Sequence, residues 1–209
     1  MLLIWGWKAR YSTRGTGTFY CPNEGGDRPY RHQRAQRWFT FFFIPLIPLK
    51  VLGEFIECSS CGSSYDEVVL TLPTAAAMMD NLANAMRYAT VAIVTADGVV
   101  LDSERETALN IMSDFSDTPY TEDDLERDLA DLHPDGLEDA FAGVAGSLNE
   151  HGKEMLIVAC LTLSAADGDM DRRELDEIGR AGRALGLSPA HLKGIVAQAF
   201  EDKSERQKN

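Results

Sequence analysis

The spacing of apolar residues along the chain changes character once, near Pro73, and predicts a different kind of structure on each side. Upstream, short segments rich in aromatic and β-branched residues alternate with Gly, Pro and Asn clusters, the pattern of strands joined by turns. It predicts strands over Leu2–Trp7, Gly17–Tyr20, Trp38–Ile44, Gly53–Glu57 and Glu67–Leu70. Downstream, apolar residues recur three and four apart, which places them on one face of a helix. Helices are predicted near 74–96, 103–115, 121–131, 135–149, 152–166, 172–185 and 189–203. Their ends carry local signals. Gly98 and Gly168 stop helices, Ser103 with Glu106 and Asp171 with Glu174 form capping boxes, and Pro189 opens the last helix. The expectation is an α+β chain of two domains, a small β domain over 1–72 and an all-α bundle over 73–209.

Charge divides at the same place. Residues 1–72 hold eight Lys/Arg against six Asp/Glu, and residues 73–209 hold twelve against twenty-seven. The net charge of −13 opposes attraction of the whole chain to nucleic acid or anionic membrane. Arg28, Arg31, Arg34, Arg37 and His32 do form a local basic patch, with Tyr30 and Trp38 interleaved. No second basic segment extends it, so a solvated or docking loop is expected rather than a nucleic-acid footprint. The run WFTFFFIPLIPL, Trp38 to Leu49, is shorter than the about 20 residues of a spanning helix and contains Pro45 and Pro48. A buried strand pair with a Pro turn is expected, contact with a membrane surface being the other use for such a patch. No secretory pattern opens the chain. A cytoplasmic, reducing setting is expected, where a CxxC points to metal or redox chemistry rather than a structural disulfide.

Three of the four cysteines carry that chemistry. Cys21 begins CPNEGG, and Cys58 and Cys61 sit in CSSCG. Tetrahedral zinc takes four ligands, commonly two from each of two tight turns whose backbone N–H groups approach sulfur. The second turn has both cysteines; the first has Glu24 where its second would stand. Three uses remain open: Zn2+ on Cys21, Glu24, Cys58 and Cys61; His32 as the fourth ligand; or an aromatic-cored fold that has lost its metal. Residues 18–70 resemble a small bacterial zinc-ribbon family with a CPxC turn, a central FFxIPLIPL run and a CxxCG turn. The resemblance places Cys21, Cys58 and Cys61 at ligand positions, with Glu24 departing from the pattern. Cys160, in LIVACLTL, reads as a core thiol.

The helical region repeats itself. MRYATVAIVTADGVVLDSERE (86–106) and LIVACLTLSAADGDMDRRELD (156–176) align at an offset of 70. Each is an apolar helix, an Ala-Asp-Gly corner and an acidic helix start. Two apolar helices at the bundle centre would form a pseudo-twofold pair. Asp97, Glu104, Asp167 and Glu174 would then be matched acids, hard oxygen ligands suited to Ca2+, Mg2+ or Mn2+. The plainer use is helix termination by the glycines and favourable dipole contacts for the glutamates. Residues 78–200 resemble the TerB family of helical proteins. That resemblance implies a link to tellurite resistance and stress response, metal-binding acids at those four positions, and no catalysis.

Little else suggests an enzyme. No Gly-rich phosphate loop precedes a helix, and no nucleophile pairs with His133, His151 or His191. The expected protein is a non-enzymatic, metal-linked stress protein. Its acidic bundle would bind a divalent cation or an unidentified protein partner. The rivals are an adaptor with purely structural acids and a thiol redox protein using Cys58 and Cys61.

Overall fold

A computed structural model describes residues 5–41, 44–116, 118–166 and 171–206. The chain is α+β: an antiparallel four-stranded sheet, then seven α-helices among the described residues. It divides into two compact units, Met1–Ala77 and Met78–Asn209.

In the β unit, β1 (Trp5–Cys21), β2 (Gly26–Phe41) and β3 (Ile44–Cys58) form a long meander. β4 (Ser64–Tyr65) adds two residues beside Ile56 and Glu57. Four of the five short strands expected fall, in their described residues, on these three long ones. The basic stretch 28–37, expected as a loop, is strand throughout, with Arg31 opposite Glu57 and Arg34 opposite Glu54. Glu67–Leu70, expected as a strand, lies in a 3-10 turn, Glu67–Thr71, where the Val68 N–H donates to the Asp66 carboxylate. An N-terminal cap outweighed the strand propensity of Val68 and Val69.

The core of this unit is small and lies at one end. Phe19, Cys21, Ile56, Cys58 and Val69 are buried, with Tyr30, Cys61 and Tyr65 packed against them. Away from that end the meander is a single layer. The run expected as a buried strand pair is largely exposed there: Ile44, Leu46 and Ile47 are each more than half accessible. In the described part of that run only Thr40, whose hydroxyl donates to the Gly6 carbonyl at 3.0 Å, is buried, and Trp38 and Phe39 are half-buried.

The helical unit follows the predicted periodicity closely. Its helices are α1 (Ala75–Val94), α2 (Asp102–Asp114), α3 (Glu122–Asp131), α4 (Leu137–Ala145), α5 (Glu150–Ser164), α6 (Arg172–Ala184) and α7 (Pro189–Arg206). Met86, Met112, Leu125, Phe141, Ile157 and Ile178 fill the core. The second half of α1 and the body of α5 are buried on several faces, which suits their uniformly apolar composition. α3 is tied to α1 by an ion pair. The Asp128 carboxylate, 1% exposed, accepts Arg87 Nε at 2.6 Å and the Tyr120 hydroxyl at 2.6 Å.

Candidate metal centre

The two cysteine turns meet because of strand direction. β1 and β3 both run antiparallel to β2, so Cys21 and Cys58, at their C-terminal ends, flank the start of β2. Each turn has the same backbone. Glu24 and Gly25 N–H groups return to the Cys21 carbonyl at 3.2 and 2.9 Å, and the Gly62 N–H to the Cys58 carbonyl at 3.0 Å. Gly25 (φ 65°) and Gly62 (φ 72°) take the left-handed conformation that closes each turn, which a side chain would strain.

The sulfurs of Cys21, Cys58 and Cys61 lie within 4.8 Å of one another, a group able to hold a metal ion. Cys21 Sγ to Cys61 Sγ is 3.8 Å. That is far from a disulfide, and it matches the edge of a tetrahedron around zinc, about 3.8 Å for Zn–S of about 2.3 Å. Cys21 and Cys58 are buried and Cys61 is partly open. Burial pushes the Cys58 thiol up, opposed by N–H groups of Cys61 and Ser60 that point at its sulfur. Cys61 is held down at about 6, first by the Ser63 side chain and backbone N–H, then by Cys58 and the Asn23 side chain. Donors aimed at sulfur stabilise thiolates, the form that binds metal. The Tyr65 hydroxyl, 3.3 Å from Cys21 Sγ, is raised above its ordinary range chiefly by that contact. Phe19 packs edge-on against Tyr30 and Tyr65 beneath the site.

Glu24 occupies the backbone place that Cys61 occupies in the other turn, but its carboxylate goes to Arg28. It is outside the sulfur group. The signal that could have shown this was Arg28 itself, four residues on. His32 is also elsewhere. On β2 its Nε2 lies 2.6 Å from Glu67 and 3.1 Å from Glu54, in a second group of metal-capable atoms. Arg34 reaches the same Glu54 carboxylate at 3.5 Å, so this group reads as an ion-pair network on the sheet.

Three of the four repeated acids, Asp97, Glu104 and Glu174, have local roles among the described residues. Asp97 is exposed, and its carboxylate accepts the Val99 N–H at 2.8 Å, closing the corner after α1. Glu104, 6% exposed, accepts the Leu101 N–H at 2.7 Å. Glu174, also 6% exposed, accepts the Asp171 N–H at 2.7 Å and the Ser164 hydroxyl at 3.1 Å. The two glutamates thus close their helices at positions 70 apart. The capping residue of α2 is Glu104 reaching back to Leu101, two residues before the Ser103–Glu106 box expected; Leu101 has no side-chain acceptor, so only the glutamate half forms. Asp167 and Gly168 lie outside the described residues. Among the described residues, no group of three converging metal-capable side chains occurs in the helical unit. A groove of about 440 Å³ runs between α5 and α7 past Met155, Val158 and Ile195. There His191 Nε2 meets Glu154 at 2.7 Å, a pairing that the sequence spacing of 37 residues did not reveal.

The family model described as "Tellurite resistance protein TerB" matches residues 83–197. No curated protein matches the chain. Among solved structures, one titled as a protein of unknown function from Porphyromonas gingivalis W83 is 17% identical. The alignment covers 58% of this chain and 94% of that one, with a TM-score of 0.39. No described helix is long and apolar enough to cross a membrane.

Proposed function

The chain belongs to the TerB family, and on that premise we propose that it is a cytoplasmic, non-enzymatic stress protein of the tellurite-resistance type. In this reading the β unit is a variant zinc ribbon stapled by one metal ion, and the acidic helical unit engages a protein partner. The observation that carries the metal half is the convergence of three sulfurs within 4.8 Å, with the Cys21–Cys61 pair at the 3.8 Å edge expected of a zinc tetrahedron. Zn2+ is the ion this donor set suits, since soft thiolates select it over Ca2+ or Mg2+. Cys21, Cys58 and Cys61 hold it. Glu24, paired with Arg28, does not. Bound metal would contribute binding free energy to a unit whose own core is five side chains.

The engagement of Glu104 and Glu174 at helix starts favours a structural use of the repeated acids. It therefore supports the partner reading over a Ca2+, Mg2+ or Mn2+ pocket. A CxxC redox role fits less well, because Cys58 and Cys61 share their sulfur group with Cys21.

Two experiments test the proposal. Titration of metal-free protein with Co2+, followed by thiolate-to-metal absorbance, should saturate at one equivalent. The signal should persist in Glu24→Ala and vanish in Cys58→Ser; dependence on Glu24 would remove the three-thiolate reading. Deletion of the gene should lower tellurite tolerance, restored by the wild-type chain. Unchanged tolerance in the deletion strain would remove the stress assignment.

A further inference from the structure

The end of the meander remote from the cysteines has an unusual make-up. At about 3.3 Å per residue, the twelve residues from Phe19 back to Trp7 extend roughly 40 Å from the buried core. Over that length the strands form one layer, with β1 exposed at every position from Trp7 to Thr18 and β2 half-buried between its neighbours, its buried side chains there being the polar Gln33 and Thr40. Trp7, Ile44, Leu46 and Ile47 are 60%, 59%, 54% and 54% exposed. So large an apolar patch is seldom left to water.

Its charge is one-sided. Residues 1–23 and 28–53 contain no Asp or Glu, in a protein whose net charge is −13. The cations along the remote part are Lys8, Arg10, Arg14, Arg37 and Lys50, none in an ion pair among the described residues. Arg10 instead lies over the Trp38 ring, 5.7 Å from its centre. All three tryptophans of the protein, Trp5, Trp7 and Trp38, are on β1 and β2 of this arm. An apolar tip, a cationic flank and tryptophan are the features of a surface seated among anionic lipid headgroups.

We propose that this arm docks the protein on an anionic lipid bilayer, the Ile44–Leu49 tip entering the headgroup layer and Lys8, Arg37 and Lys50 meeting lipid phosphates. Insertion stops at the interface. β1 is an edge strand and the remote part of β3 pairs only with β2, so unpaired backbone groups bar the sheet from the hydrocarbon. The absence of acids selects a phosphate-rich partner. The protein's own acidic helical unit keeps the rest of the molecule off the same surface.

The experiment uses the full chain with vesicles of phosphatidylcholine, alone or mixed with phosphatidylglycerol. Co-sedimentation and tryptophan emission are read together, since every tryptophan reports on the arm. The expected result is a blue shift and sedimentation with the anionic vesicles, at least tenfold tighter than with neutral ones and weakened by salt. Leu46→Ser with Ile47→Ser should weaken binding roughly tenfold or more. Lys8→Gln with Arg37→Gln and Lys50→Gln should remove the anionic preference by a similar factor. These positions are exposed on the arm, so zinc content and helical circular dichroism should not change. Absence of sedimentation with either vesicle overturns the proposal. So does binding that neither variant set weakens. A lipid-independent dimer abolished by the Leu46→Ser, Ile47→Ser pair also overturns it, and assigns the arm to a second copy of this chain.

Discussion

Replacing Glu174 separates a helix-closing acid from a cation ligand by the sign of the change. The carboxylate is 6% exposed and accepts the Asp171 N–H and the hydroxyl of Ser164, itself buried. Glu174→Ala removes the acceptor for a helix N-terminal N–H, worth about 1 kcal/mol. It also strands a buried hydroxyl, at about 1–3 kcal/mol. The expected loss is about 2–4 kcal/mol. Glu174→Gln keeps an acceptor of the same shape and should lose about 1 kcal/mol or less. For a domain of this size each kcal/mol moves Tm by roughly 3–5 °C, so Ala lowers Tm by about 10 °C and Gln by a few degrees. The assay is thermal and urea unfolding followed by helical circular dichroism, with and without millimolar CaCl2, MgCl2 or MnCl2. A pre-gathered cation pocket behaves oppositely. There, neutralising one of several clustered carboxylates relieves repulsion and raises Tm without metal, while metal stabilises only the wild type. A rise in Tm for Glu174→Gln, together with cation-dependent stabilisation of the wild type, would refute the structural account.

Other expectations follow from named contacts. Asp128→Ala strips Arg87 and Tyr120 of their shared partner and should cost about 2–4 kcal/mol in urea unfolding, with Asp128→Asn between it and wild type. The Asp124 carboxyl is held down at about 2, first by the Thr121 hydroxyl and backbone N–H and then by Arg127. Its folded value is below the unfolded one, so its contribution is present above about pH 4 and is lost as pH falls toward 2. Asp124→Asn should therefore destabilise at pH 7, with the difference shrinking as pH falls and disappearing only below about 2. In metal-free protein Cys61, at about 6, should alkylate first at pH 7 and lose little rate down to pH 6.5, whereas Cys160, buried and pushed up to about 12, should react only on unfolding. Mass spectrometry after iodoacetamide pulses reads both.

Most helices were legible because they bury one stripe against a common core, so the three-and-four spacing survives in the sequence; α1 and α5, buried on several faces, show instead as continuous apolar runs. The strands were less so, for a physical reason. Period-two alternation arises when one face of a sheet is buried. β1 from Trp7 to Thr18 is exposed at every position, and β2 carries Arg28, Arg31, Arg34 and Arg37 along its length. β1 has no buried face over that stretch and the buried positions of β2, Gln33 and Thr40, are polar, so there is no apolar alternation to read and the charged stretch was taken for a loop. The sulfur site was legible from the spacing of Cys58 and Cys61 and the matching glycines. For Glu24, backbone equivalence with Cys61 says nothing about where a longer side chain goes, and its carboxylate is found on Arg28. The corner acids were recognisable as a repeat, yet whether Asp97 and Asp167 share a site rests on tertiary placement that local pattern does not encode.

The account turns on zinc held by three thiolates without Glu24. Elemental analysis of protein purified without added metal tests it most directly. It should give one zinc per chain in the wild type and in Glu24→Ala, and less than about a tenth of that in Cys58→Ser. A wild type without zinc, or a Cys58→Ser variant that retains it, would contradict the account.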